Sequence, residues 1–244
     1  MKDQYFGDIN DYRKYGLLRA IIGAGDFRLL VAWMLTPDDG STDGKFISYL
    51  DNPKKWSQHD PVLFQALKER LACGQQRRVS LIEQSHLLPQ AEYFSSCVPD
   101  VGAERSAWFK SLIQQAQDCD FVFLDPDNGL EVKSKKYGNK NSSKYLYWSE
   151  VRELWDAGKS LLIYQHFIRE KRDDFIPRML TSLQAATPGS VVDAFATSNV
   201  VFLMALQPEH KEALRQIAAS VDKSWAGQIM CYSSQRHGTP FFNA

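Results

Sequence analysis

Apolar residues follow two rhythms along this chain. In "DYRKYGLLRAII", residues 11–22, they recur at helical spacing and put Tyr12, Tyr15, Leu18, Ile21 and Ile22 on one face. The unbroken run "FRLLVAWML" that follows predicts a buried strand, and "RRVSLIEQ", "CDFVFLD" and "KSLLIYQHF" predict three more. Two late runs, "VVDAFAT" and "NVVFLMALQ", are separated by little more than Ser198 and predict an antiparallel pair. Helical patterns lie between the strands. "DPVLFQALKERLA" has Asp60 as N-cap and Pro61 at the first helical position, and "RSAWFKSLIQQAQD" feeds directly into "CDFVFLD". "YWSEVRELWDAG" ends at Gly158, and "PEHKEALRQIAASV" follows the last strand. A helix over "RDDFIPRMLTSLQ" is expected to be kinked or shortened by Pro177.

Strands alternating with helices predict an α/β protein. Its sheet should be mostly parallel, covered by helices on both faces, with an antiparallel pair near the C-terminal end. The turn-rich "TPDDGSTDGK" follows the first strand, but no repeat, low-complexity tract or long Pro/Gly/Ser linker divides the chain, and one domain over residues 1–244 is expected. Composition adds limits. Lys+Arg and Asp+Glu both number 29, so the net charge is zero and any attraction to nucleic acid must come from local clustering. No apolar run approaches the ~20 residues of a membrane span. The polar start "MKDQYFGDINDY" lacks a signal-peptide core. Cys73, Cys97, Cys119 and Cys231 are scattered, against both a zinc cluster and a disulfide framework, and a reduced cytoplasmic setting is expected.

Ligands of open α/β sheets bind at the carboxyl ends of the strands. Polar groups follow three of the predicted strands: Asp38, Asp39 and Gly40 after "LLVAWMLTP", Asp125 to Asn128 after "FVFL", and Tyr164, Gln165 and His166 after "SLLI". "DPDNG" by itself is turn chemistry. Its interest is that it meets a buried strand just ahead of a basic loop, in which Lys133, Lys135, Lys136, Lys140 and Lys144 interleave with Tyr137, Tyr145 and Tyr147. Such a mixture suits phosphate contact and base stacking, although a lysine run also serves as a plain solvated face. Arg169, Lys171 and Arg172 supply a second basic flank. His166, beside Gln165 at a strand end, is a candidate general base, or a histidine hydrogen-bonded at the sheet edge.

Three segments together resemble the Rossmann-like class I S-adenosylmethionine-dependent methyltransferases, distantly the branch that methylates the exocyclic amine of adenine in large-subunit ribosomal RNA. "FGDINDYRKYGLL" resembles that branch's Gly-Asn-x-Ala-Asp-x-x-Lys-His signature, with Gly7, Asn10, Asp11, Lys14 and Tyr15 as counterparts. "FVFLDPDN" stands where the family has Asp-Pro-Pro-Tyr, and "GKSLLIYQHF" resembles its next strand. The resemblance implies a Rossmann-like fold, S-adenosylmethionine as cofactor, and a nucleic acid or nucleotide as substrate. It also implies that residues 1–25 contribute to the cofactor crevice, with Gly7, Asn10, Lys14 and Tyr15 as cofactor residues; Glu83, after "VSLI", is a candidate for the cofactor's ribose. Asp125 and the Pro126 carbonyl would then orient the acceptor amine, with Asn128 beside them and His166 assisting proton removal. The chain departs from the family in carrying Asp127 for the second proline and Asn128 for the stacking aromatic, and in lacking a Gly-x-Gly after the first strand, where Gly40 and Gly44 are nearest.

"FVFLDPDNG" also resembles the Asp-x-Asp strand end of haloacid-dehalogenase phosphatases, in which Asp125 and Asp127 would bind magnesium. "PDNGLEVK" is similar to the metal site of many nucleases, through Asp127, Glu131 and Lys133. A metal-dependent phosphoesterase is therefore one alternative reading, and a non-enzymatic nucleic-acid-binding protein on the same fold is another. His59, His86, His210 and His237 show no metal-ligand spacing, and the C-terminal "SSQRHGTPFFNA" is expected to be a surface tail.

Overall fold

The structure is a computed structural model, and it describes residues 1–37, 44–72, 74 and 76–233. A 3-10 turn, Asp3–Tyr5, leads into α1, Ile9–Ile22, and then β1, Leu29–Ala32. Next come a 3-10 turn, Ser48–Asp51, and three helices: α2, Pro53–Trp56; α3, Pro61–Ala72; and α4, Ser80–Glu83. β2, Ala91–Phe94, α5, Gly102–Gln115, and β3, Phe121–Leu124, complete the first half. The short strands β4, Gly129–Leu130, and β5, Tyr145–Leu146, precede α6, Trp148–Asp156. The remainder is β6, Ser160–His166, α7, Arg172–Ala186, β7, Val191–Ala196, β8, Val200–Leu206, α8, Ala213–Trp225, and β9, Met230–Ser233.

Seven strands form one sheet in the order β2-β1-β3-β6-β8-β7-β9. The first four are mutually parallel, while β8 runs antiparallel to both β6 and β7, and β9 is antiparallel to β7. This is the expected Rossmann-like α/β arrangement, with its antiparallel pair where the sequence places it. Residue alternation divides the core in two. Leu29, Val31, Phe121 and Phe123 pack with α1, α3 and α8, whereas Leu30, Ala32, Val122 and Leu124 pack with α5, α6 and α7. Burial on both faces explains why these strands read as unbroken apolar runs.

The chain leaves β1 for β2 on one side and returns to β3 on the other. The strand order therefore reverses between β1 and β3, the place where open α/β sheets gather ligands. α1 lies over this end. Asp8 caps it, accepting from the Asn10 and Asp11 amides at 2.8 and 2.9 Å. Gly16 lets the helix press against α8, since a Cβ there would lie 2.0 Å from Trp225 Cζ2.

Four expectations are corrected. "VSLI" is not a strand but the short helix α4, and the edge strand is the half-polar "AEYF" of β2. α7 continues through Pro177. That proline is the sixth helical residue, so the carbonyl it deprives of its helical partner belongs to the exposed Asp173, near the helix start. After the last long strand the chain makes a 3-10 turn, Pro208–His210, before α8 begins. β9 adds a strand that no apolar run announced. The predicted strand-end groups Asp38, Asp39 and Gly40 lie outside the described residues, as do Cys73, His237 and all of the predicted tail except Ser233, which ends β9.

Candidate functional site

A cavity of about 460 Å³ opens beneath the N-terminal half of α1, at the carboxyl ends of β3 and β6. Its volume falls in the range of small-molecule sites, about 300–1,000 Å³. Asp125, Pro126, Asp127 and Asn128 form one wall, and Tyr164, His166 and Phe167 another. Asp8, Asn10, Asp11 and Lys14 come from α1 and its cap, with Met1, Tyr5, Gly44 and Phe46 completing the lining. Residues far apart in sequence, Lys14, Asp125 and His166, thus meet around one hollow.

Lys14 organises the charges. Its Nζ donates to Asp11 Oδ1 at 2.6 Å and to Asp125 Oδ2 at 2.7 Å, and all three side chains are almost wholly buried. Tyr15, Trp33 and Tyr164 turn their rings to the ammonium, with centroids 5.8, 5.5 and 5.5 Å away. Burial works against the charge on Lys14, but Asp11 and Asp125 more than reverse it, and its pKa ends above the ordinary lysine value. Burial raises the pKa of Asp125, against the opposing pull of Lys14 and the terminal amino group. The other oxygen of Asp11 accepts from the Tyr15 hydroxyl at 2.9 Å and the Gly7 amide at 3.1 Å. Burial, and then the charge of Asp11, push the Asp8 carboxyl up to about 7.

The gap between β1 and β3 is closed by main chain. The Met1 amino group donates to the carbonyls of Met34 at 3.2 Å and Asp125 at 3.1 Å, while Thr36 N–H donates to the Met1 carbonyl at 3.0 Å. Desolvation lowers that amino group to about 6. The open space is displaced by one strand, toward β6. Asp127 borders it: Oδ2 lies 3.6 Å from Lys144 Nζ and 4.0 Å from Lys2 Nζ, and Oδ1 is buried with no hydrogen-bond partner, 3.9 Å from the Met1 nitrogen. His166 is half-buried and its ring meets Tyr164 edge-on at 5.1 Å. Burial lowers its pKa below the usual histidine value, against the charge of Asp127 and a hydrogen bond to the Asp127 backbone, so the neutral imidazole predominates at pH 7.

Gln165 joins the two walls. Its Oε1 accepts from the Leu130 amide at 2.7 Å and its Nε2 donates to the His166 carbonyl at 2.7 Å. Gly129 makes the fit possible: at φ +101° its absent Cβ would lie 2.5 Å from Gln165 Oε1. Further out, Arg105 is fully buried and fixes the loop after β4. It pairs with Glu150 at 2.7 and 2.9 Å and donates to the Ser142 and Tyr145 carbonyls at 2.8 and 2.6 Å.

The sequence-predicted residues separate into groups. Asp125, Pro126, Asn128, His166, Asn10 and Lys14 line the cavity. Gly7 and Tyr15 stand behind it and position Asp11. Lys14 is locked between carboxylates, so its place is structural first. Glu83 does not line the cavity; it sits on α4 and accepts from Trp33 Nε1 at 2.9 Å and Ser95 Oγ at 2.6 Å. Lys133, Lys136 and Lys140 are exposed and Lys135 half-buried on the loop beyond the cavity, while Lys144 turns in to Asp127. The loop tyrosines do not make a free stacking shelf: Tyr147 is buried and Tyr137 packs edge-on against it at 5.2 Å. Arg169 and Lys171 are exposed; Arg172 lies 4.7 Å over the Phe167 ring and donates to the Ser198 carbonyl.

Both Asp125 and Asp127 face ammonium groups, so a magnesium ion between them would compete with Lys14, Lys2 and Lys144. Glu131 caps α6 by accepting from the Trp148 amide at 2.9 Å and does not line the cavity. No cluster of three or more His, Cys, Asp or Glu side chains suited to a metal ion occurs among the described residues. Tyr5 and Phe46 are lining residues outside the sequence motifs, while Asp8 and Phe167 fall inside "FGDINDYRKYGLL" and "GKSLLIYQHF" without being named there as site residues. Only Asp8 carries a signal, as an aspartate just before a helical run with Asp11 three residues later.

Fold and cavity define an α/β protein of Rossmann-like architecture with an open cavity at the carboxyl ends of its parallel strands. No model of a known protein family matches the chain, and no curated protein matches it in sequence. No helix among the described residues is long and apolar enough to cross a membrane.

Proposed function

We propose that this chain is an S-adenosylmethionine-dependent methyltransferase, or a catalytically altered relative, acting on an amine of a nucleic acid or nucleotide. One observation carries the reading: Asp125 and Pro126, at the carboxyl end of β3, share an open cavity with a neutral His166 at the carboxyl end of β6. The lining suits such a cofactor. S-adenosylmethionine carries a sulfonium, an ammonium and a ribose diol, all of which favour acceptors, and the walls offer Asp8, Asn10 and Asp127 beside aromatic rings. Asp8 and Asn10 would hold the cofactor, which when bound supplies an electrophilic methyl group. Asp125 and the Pro126 carbonyl would accept the N–H groups of the acceptor and aim its lone pair, a positioning effect that needs no covalent help from the protein. His166 would take the proton the amine loses on methylation. Lys14 would hold Asp125 in register throughout.

Calorimetric titration with S-adenosylmethionine and its demethylated product is the test. Binding in the micromolar to low millimolar range is expected, weakened by Asp8→Ala, and turnover should fall about 10²–10⁴-fold in His166→Ala, the usual worth of a general base. Absence of heat at millimolar ligand would sink the methyl-transfer reading.

A further inference from the structure

β3 and β6 pair from Phe121 and Ser160 as far as Leu124 and Ile163, and there the ladder stops. Beyond it one chain turns through Asp125, Pro126 and Asp127 to Leu130, while the other runs on to His166. Among the described residues no main-chain hydrogen bond joins residues 125–130 to residues 164–167. One side chain bridges this split. The Gln165 carboxamide, only 4% exposed, stands in for a peptide group of the ladder. Its Oε1 accepts from the Leu130 amide and its Nε2 donates to the His166 carbonyl, both at 2.7 Å. Gly129 leaves room for it, since a Cβ there would lie 2.5 Å from Oε1.

The His166 imidazole sits at the end of this bridged pair. Its ring hydrogen-bonds the Asp127 backbone and meets the Tyr164 ring edge-on. A neutral imidazole has one N–H and one bare nitrogen, and the hydrogen bond that one of them makes decides which is which. Both ends of that bond ride on segments that Gln165 ties together: Asp127 on the turn ahead of Leu130, and His166 on β6. We propose that Gln165 is the positioning residue for His166. By spanning the split it keeps the imidazole on the Asp127 main chain in one tautomer, with its other nitrogen bare in the cavity. This rests on the reading of His166 as the group that takes the proton. The charged groups that face the ring are the Asp127 carboxylate, the Met1 amino group and Lys14. Gln165 carries no charge and acts on it through geometry.

The test reads the ring nitrogens of His166 by heteronuclear NMR of the full chain across pH, without ligand, in the parent, Gln165→Met and Gly129→Ala. The parent is expected to show one neutral tautomer and to titrate below the ordinary value of about 6.5. Gln165→Met fills similar space without either hydrogen bond, and Gly129→Ala pushes the carboxamide aside without removing it. Both should give a mixture of tautomers and move the titration up toward the ordinary value as water enters the split. His59, held by the Ser224 carbonyl, and His210, held by Ser160 at the other end of β6, report the fold and should titrate as in the parent. Mixed tautomers in the parent would overturn the proposal. So would a single tautomer and an unchanged titration in either folded variant. Disturbed His59 and His210 signals in both variants would overturn it too, by making Gln165 a brace of the whole fold. One tautomer in the parent, lost in the variants of a chain that gives no heat with S-adenosylmethionine, would support the positioning of His166 and remove methyl transfer.

Discussion

Four carboxylates crowd the first turn of α1 and the end of β3, and the protein handles them differently. Asp11 and Asp125 share Lys14, whose single ammonium is ion-paired to both carboxylates. Asp8 has no such partner. Its oxygen accepts two amides at a helix start, which favours the ionised form, but burial and Asp11 outweigh them and its carboxyl titrates at about 7. In the unfolded chain an aspartate titrates near 3.9. The folded state therefore holds this proton to higher pH than the unfolded state does. Its stabilising contribution is complete below about pH 4 and is lost as the pH rises through about 7. Asp8→Asn keeps a capping acceptor and removes the titration. The melting temperature of the variant relative to the parent is expected to climb between pH 4 and 7 and then level off. For a chain of this size each kcal/mol appears as about 2–4 °C. A difference that stays flat across that range would show that Asp8 ionises freely in the fold. Of the cluster, Asp11, Lys14 and Asp125 are visible in the sequence as members of short motifs. The proton on Asp8 is not, because it depends on how deeply tertiary packing buries one side chain.

Elements follow the same division between local and tertiary causes. β1, β3, β6 and β8 are legible because burial on both faces needs unbroken apolar runs. β2 is not, because an edge strand reading "AEYF" buries only Phe94 and gains its pairing from Leu29–Ala32 alongside. "VSLI" has strand composition, but only Val79 and Ile82 need burial, and a single helical turn does that while putting Glu83 within reach of Trp33. Gly16 shows why a residue that weakens helices stands in the middle of one. Gly→Ala in a helix interior normally gains about 1 kcal/mol. Here the added Cβ would lie 2.0 Å from Trp225 Cζ2, and overpacking of this kind costs about 1–3 kcal/mol. Gly16→Ala is therefore expected to lower the denaturant midpoint, with the loss concentrated where α1 meets α8. An unchanged or raised midpoint would mean that Trp225 swings aside without penalty.

At the scale of the whole molecule, a net charge of zero conceals a separation. Carboxylates gather inside the cavity, whereas Lys133, Lys136 and Lys140 stand exposed on the loop beyond β4, and Arg169 and Lys171 on the segment after β6. The first segment follows β4, just after the Asp125–Asn128 wall, and the second follows β6, which ends at His166, so basic chain succeeds both walls of the site in sequence. Arg105, by holding Ser142 and Tyr145 to Glu150, anchors the loop's base while its lysines stay in water. A charged polymer laid across this end would meet ammonium groups outside and acceptors within, as a phosphate backbone with one base turned inward requires. The sequence shows the lysines but not the meeting of Asp125 with His166, which depends on the parallel register of β3 and β6. If the loop grips phosphates, replacing Lys133, Lys136 and Lys140 by Ala should reduce the slope of log K against log salt for a single-stranded oligonucleotide. The reduction should be about 0.7 for each phosphate no longer neutralised. Melting should not change, since none of the three side chains is buried, and binding of a free nucleoside should not change either, since it reaches the cavity without a backbone. A triple variant whose salt slope equals the parent's would make the loop an ordinary solvated surface and confine recognition to the cavity.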